Sequence, residues 1–275
     1  MLAQEGGGYG SAVLRSIVTM IISNAQPAIP DFQEAFLNYW TKSLFSTGPA
    51  DDQITSVFVS TYMRLVESCV SEYRSAELMV ESFWAESSSF KLSAMHRAVT
   101  HYETCITNAQ RAIRSFNKLR RSKHLRPEVR AALAAHKHTF HKDQVSRRLG
   151  DIRDLIHHFD EALGKGEVTK GEPVLLQPTG PEAPVDTNPG QTVKTIDRLK
   201  IGPHEILLAD LAQLLTEMGE CAEIISQFRV DQPHVLSGFV RGDLTSHAGR
   251  APSPTIRRWR APACSPVVRT RDNEG

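Results

Sequence analysis

The densest concentration of groups able to move a proton or grip a phosphate lies in Ile152-Arg153-Asp154-Leu155-Ile156-His157-His158-Phe159-Asp160-Glu161. On a helix turning about 100° per residue, Arg153, His157 and Asp160 share one flank, and Asp154, His158 and Glu161 share another. Each flank sets an imidazole among carboxylates. A carboxylate beside an imidazole favours its protonated form and orients one ring nitrogen, as general acid-base work on a phosphodiester requires. Arg153 adds a forked donor suited to phosphate. The same spacing equally describes ion pairs on a solvated helix face.

Two further clusters carry chemistry. His136-Lys137-His138-Thr139-Phe140-His141, with His124 upstream, offers the imidazoles of a metal site. It has no cysteine beside it in sequence and no nearby carboxylate except Asp143, and Lys137 and Lys142 repel a cation. His136 falls on an apolar seam and reads as a core histidine, so neither a metal nor another cofactor is expected. The run Arg111, Arg114, Lys118, Arg120, Arg121, Lys123, Arg126, Arg130 suits a phosphate backbone, and such contacts give salt-dependent, sequence-independent affinity. Arg114, Lys118, Arg120, Arg121 and Lys123 are its candidate nucleic-acid contacts. Aromatic interleaving is thin, which leaves base stacking unsupported. No phosphate-cradling glycine motif, GxSxG elbow or HExxH pair occurs, so the common nucleotide-dependent, serine-hydrolase and zinc-protease chemistries have no footing.

Arg153 followed by Asp154, with His158 five positions after the arginine, resembles the motif of HEPN domains, in which an arginine precedes a histidine by a few residues. The wider stretch from about Leu92 to Gly166, a heptad helix, a basic turn and a glycine-rich exit, is similar to bacterial proteins of this general kind. The resemblance implies a helical bundle, a homodimer, and metal-independent ribonuclease or RNA-binding activity, with Arg153, Asp154 and His158 as the catalytic set. On an ideal helix Arg153 and His158 stand about 140° apart. A shared site therefore calls for a local distortion or a second subunit. The competing class is a non-catalytic helical module that binds a partner protein. A shared cleft around Arg153 and His158 favours the first class, and a convex solvated surface favours the second.

The elements that must position these residues are mostly helices. Asp31 caps a short helix with Phe32, Phe36, Tyr39 and Trp40 at helical spacing, and Asp51 or Asp52 caps a long one running from Ile54 to Phe83. Leu92, Met95, Val99, Tyr102, Ile106, Ala109, Ile113 and Phe116 alternate steps of three and four, a seam that packs along a neighbour. Pro127 opens the next helix as a first-turn residue. The pattern skips around His141 to Gln144, either a helix break or a stutter, and resumes as Val145, Leu149, Ile152, Ile156, Phe159, Leu163. Val174–Leu176 and Val193–Ile201 predict a small β-hairpin whose mobile tip is Pro178–Gly190. A last helix follows through Phe228. The expected fold is mainly α: long antiparallel helices in a bundle over 31–230, a hairpin insertion at about 166–203, a flexible N-terminal arm over 1–30 and a disordered tail over 231–275.

Composition bounds the rest. In 275 residues, 40% hydrophobic and 23% charged content is ordinary for a globular chain. The formal net charge of +1 hides a local imbalance. Asp51, Asp52, Glu67, Glu72, Glu77, Glu81 and Glu86 dominate one segment, whereas lysine and arginine dominate Arg111 to Arg148. These blocks either pair with each other or leave one face basic and attractive to polyanions. Cys69, Cys105, Cys221 and Cys264 form no CxxC pair, which suits reduced thiols in a cytoplasmic protein. The first 30 residues lack a basic leader with an apolar core, and no run approaches the roughly 20 apolar residues of a spanning helix. Neither a signal peptide nor membrane insertion is expected.

Overall fold

The computed structural model describes residues 19–45, 48–85, 92–166 and 171–229. The chain is mainly helical. In order it forms β1 (Thr19–Asn24), α1 (Gln33–Phe45), α2 (Gln53–Ala85), α3 (Leu92–Leu119), α4 (Pro127–Ala135) and α5 (Asp143–Lys165), then β2 (Gln177–Thr179), β3 (Glu182–Val185), β4 (Asn188–Ile196), β5 (Arg198–Ile201), β6 (His204–Leu207) and α6 (Leu208–Ser226). Among the described residues no helix is long and apolar enough to cross a membrane.

Local chemistry starts α1, α2 and α4 where the sequence suggests. The Asp31 carboxylate accepts the Gln33 amide hydrogen at 3.2 Å, and Asp52 accepts those of Ile54 and Thr55 at 2.9 and 3.0 Å. These satisfy donors that a helix start leaves open. Pro127 stands in the first turn of α4, where a missing N–H costs nothing.

The 33-residue α2 and 28-residue α3 form the main packing surface. Thr55 meets Ser122, Ser68 meets Asn108, and Glu72 meets His101, so the contacts run in opposite senses along the two helices. The α3 seam residues Tyr102, Ile106, Ala109, Ile113 and Phe116 are fully enclosed. Helix α6 closes the core with Leu208, Leu211, Leu215, Met218 and Cys221. The buried Tyr62 hydroxyl donates to the Met218 carbonyl at 2.8 Å. Gly219 has no Cβ because the Phe32 ring lies against that point of α6. Lys42 donates to the Ser226 and Phe228 carbonyls at the helix's C-terminal end, which the helix dipole favours.

Three expectations are corrected and one open alternative is decided. Of the arm placed over 1–30, residues 19–30 belong to the fold. Strand β1 pairs in parallel with β4 from Thr19 opposite Gln191 to Asn24 opposite Ile196. The buried Gln26 then bridges to α2 and α3, donating to the Tyr73 carbonyl and accepting the Tyr102 hydroxyl hydrogen. Second, the segment read as a mobile hairpin tip is strand. β3 and β4 form an antiparallel hairpin turning at Asp186 and Thr187, giving one sheet of order β1-β4-β3 and another of order β2-β5-β6. Gly202, at φ 51°, makes the tight β5–β6 turn.

Third, the skip near His141, open in the sequence between a break and a stutter, is a helix break, with residues 136–142 a connector between α4 and α5. Fourth, the α5 seam is buried only in its first half. Leu149 and Ile152 are enclosed and Ile156 is partly buried, whereas Phe159 and Leu163 are exposed. The tail expected over 231–275 lies outside the described residues.

Burying an unpaired carboxylate costs several kcal/mol, on the order of a domain's whole stability. Ile106→Asp should therefore abolish the cooperative thermal transition followed by circular dichroism, while Leu44→Asp, at a position 79% exposed, should leave it nearly unchanged. A cooperatively unfolding Ile106→Asp protein would remove the α3 seam from the core.

Candidate functional site

Arg153 and Asp154 are brought together. Arg153 Nη1 donates to Asp154 Oδ1 at 2.8 Å, and Arg153 Nε is buried without a hydrogen-bond partner. His158 turns instead to Glu161, with Nδ1 3.2 Å from its carboxylate, both side chains being more than half exposed. Its neighbour His157 reaches toward the Thr107 hydroxyl of α3 at 3.4 Å. His158 leaves helical geometry, at φ −120° and ψ 17°, so α5 is kinked there. The three residues thus make two separate local contacts on one helix, Arg153 with Asp154 and His158 with Glu161. The kink at His158 does not unite them, since Arg153 stays on Asp154 and His158 on Glu161.

A more enclosed arrangement lies at the connector. Helix α4 stops at Ala135 because His136 is extended, at φ −77° and ψ 129°. The chain then crosses α6. The Phe140 ring is buried 4.8 Å from that of Phe116, centroid to centroid. The Glu217 carboxylate of α6 accepts the amide hydrogens of Thr139 and Phe140, at 2.5 and 3.0 Å, and the Thr139 hydroxyl hydrogen at 3.0 Å. Partial burial pushes the Glu217 carboxyl up, but the bonds from Thr139, Phe140 and Gln213 outweigh it and hold the group below its usual range.

This anchoring folds the connector over a cavity of about 550 Å³. Phe116, Leu125 and Leu133 contribute apolar walls; Arg120 and Arg121 from the end of α3, Arg130 from α4, and Lys137 and Lys142 from the connector add five cations. No carboxylate lines it. His136, His138 and His141 complete the wall. Burial lowers the proton affinity of His138 and His141, and Arg120 adds repulsion to both, so neutral imidazoles face the cavity at neutral pH.

The five residues expected to contact nucleic acid divide accordingly. Arg120 and Arg121 line the cavity. Arg114 donates to the side-chain oxygen of Gln110, once that amide is oriented to face it, and the Lys118 ammonium lies 5.1 Å from the Phe58 ring centroid. Lys123 is exposed. The acidic segment on α2 does not neutralise this corner. Glu67 accepts from the Trp40 indole, Glu72 faces His101, and Asp52 comes no nearer than 4.0 Å to His124. Among the described residues no carboxylate is ion-paired with Arg120, Arg121 or Arg130.

Sequence reasoning did not join Lys137 and Lys142 to the basic run because they read only as obstacles to a metal. It read Cys221 as a reduced thiol and did not place it beside the histidines. The thiol approaches from α6, and its Sγ and one ring nitrogen each of His136 and His138 lie within 4.8 Å of one another. Their separation along the chain removes any spacing signal. Comparison with family models, curated proteins and solved structures gives no match for this chain.

The Glu217 bonds make a pH prediction. A carboxyl whose folded pKa is lowered contributes stability that is present above its unfolded value of 4.5 and is lost as pH falls through the lower folded value. Glu217→Gln should cost about 1 to 2 kcal/mol at pH 7 in urea unfolding, since bonds to a charged acceptor are worth more than neutral ones. The two proteins should converge in strong acid. An equal difference at every pH would show that the carboxylate charge is irrelevant.

Proposed function

We propose that this chain is a cytoplasmic RNA-binding protein that grips the sugar-phosphate backbone at the corner between α3 and α4. One observation carries the reading: five lysine and arginine side chains converge on a single cavity without a carboxylate among its lining residues. Such a concentration of unpaired cations repels itself and is relieved by an anion, and a phosphate chain supplies several at a regular spacing. The apolar walls and neutral imidazoles suit a backbone held at the surface, with bases unread, and the resulting affinity is independent of sequence. A bundle of long antiparallel helices, acting as a homodimer, is the assembly that the HEPN resemblance implies for it.

A second reading has its own support. Helix α5 departs from helical geometry at His158, in the stretch where the HEPN resemblance places a ribonuclease with Arg153, Asp154 and His158 as its catalytic set. The exposure of His158 and its separate pairing with Glu161 weigh the other way.

Binding of a short single-stranded RNA, followed by fluorescence anisotropy across salt concentrations without added metal, separates these readings. The logarithm of affinity should fall linearly with the logarithm of salt, by about 0.7 per neutralised phosphate for a single strand. The double variant Arg120→Ala, Arg121→Ala should bind more weakly and with a slope reduced by about 1 to 1.5, while Lys165→Ala matches the unaltered protein. RNA recovered intact fits a binding protein; cleavage lost in His158→Ala establishes the ribonuclease. Binding absent altogether would favour a helical module for a protein partner.

A further inference from the structure

We propose that His136, His138 and Cys221 form a binding site for one zinc-class divalent cation, with Glu220 in reach as a fourth donor. The first support is proximity. The three ligand atoms already lie within 4.8 Å of one another, although they come from the connector and from α6. In a tetrahedral zinc site, with metal-nitrogen and metal-sulfur bonds of about 2.0 to 2.3 Å, neighbouring ligand atoms stand about 3.4 to 3.8 Å apart. Closing the triangle needs a displacement of about an ångström, within reach of side-chain rotations. The mixture of one thiolate sulfur and two imidazole nitrogens matches zinc, and a magnesium or calcium ion would seek oxygen instead.

The hydrogen bonding supplies a second support. His138 Nδ1 lies 2.9 Å from the His136 carbonyl oxygen, to which it can only donate. That bond fixes the tautomer that leaves Nε2 with its lone pair, and an outer partner of this kind is the usual companion of a metal-bound histidine. His136 Nε2 is buried and makes no hydrogen bond. A Glu220 carboxylate oxygen lies 3.2 Å from it, near enough for both to turn toward one ion. Cys221 is a free thiol with its side chain fully enclosed, so it does no solvent-facing work.

Five cations line the cavity beside His136 and His138, so the ion's place is on the α6 side, where the carboxylates stand. Lys137 and Lys142, the apparent obstacles in the sequence, are exposed and can extend into solvent. Glu217 and Glu220 stand on the same helix as the thiol. On binding, the Cys221 S–H proton passes to solvent and its sulfur forms the metal bond, so the ion's two positive charges are formally balanced by the new thiolate and the Glu220 carboxylate. The cavity wall formed by His136 and His138 gives the ion a path inward. Because the connector and α6 each supply ligands, the ion would clamp the two together. This inference concerns metal alone and stands whether or not the cavity binds RNA.

The test uses the full-length protein, kept reduced, stripped with a chelator and dialysed against Zn2+. Bound zinc is measured by elemental analysis, and Co2+ is titrated in parallel to observe the thiolate-to-metal absorption band. The unaltered protein and His158→Ala should each retain one equivalent of zinc, show the Co2+ band and unfold at a higher temperature with metal. Cys221→Ser should lose the band, and His138→Gln should weaken binding by at least tenfold. Circular dichroism reports whether each variant is folded; should Cys221→Ser not fold, His138→Gln, at a half-buried position, decides. Zinc not retained by the unaltered protein, a missing Co2+ band, or folded variants that bind as tightly as the parent would each overturn the proposal.

Discussion

The hold of the Glu217 carboxylate on the Thr139 and Phe140 amides is the constraint on which the functional corner depends. The connector between α4 and α5 has no helical hydrogen bonds of its own across residues 137–139, and backbone donors left unsatisfied beside the core would be costly. Glu217 supplies the acceptor, and the Phe140 ring supplies apolar burial against Phe116. With the connector fixed there, Lys137 and Lys142 are carried to the arginines at the end of α3, and His136 and His138 are carried to Cys221. Both the cation-lined cavity and the cluster of nitrogen and sulfur donors follow from one carboxylate on one buried helix.

That helix is itself held from several sides. Tyr62 binds the Met218 carbonyl, Phe32 fills the space beside Gly219, and Lys42 closes the C-terminal carbonyls. These contacts give α6 fixed ends and a fixed rotation, so Glu217, Glu220 and Cys221 present to the connector in a defined order. The N-terminal segment contributes to the same rigidity through Gln26, which ties β1 to the centre of α2 and α3. A rigid scaffold with polar groups on an irregular connector is the usual division of labour at binding sites.

Much of the scaffold was legible in the sequence because its causes are local. Asp31, Asp52 and Pro127 mark helix starts by satisfying or lacking particular backbone groups, and the alternation from Tyr102 to Phe116 follows from helix geometry. The strands were less legible. β1 finds its partner only at β4, far along the chain, and the Pro178–Gly190 segment has the composition of a loop, though it forms strand. The outer seam of α5 misled for another reason: periodicity states which face is apolar, not whether anything covers it, and Phe159 and Leu163 remain exposed. Arg153 and His158 stood out because their spacing is visible on one helix. The cavity did not, because its five cations come from three elements and the thiol beside it from a fourth.

Amide hydrogen exchange at Thr139 and Phe140, compared between the unaltered protein and Glu217→Gln, tests the central claim most directly. Exchange reports local opening, which here means release of the connector from α6. Both amides should exchange slowly in the unaltered protein and much faster in Glu217→Gln, with Ile106 and Ile113 in α3 equally protected in both. Fast exchange of Thr139 and Phe140 in the unaltered protein would contradict it, as would protection that the substitution leaves unchanged.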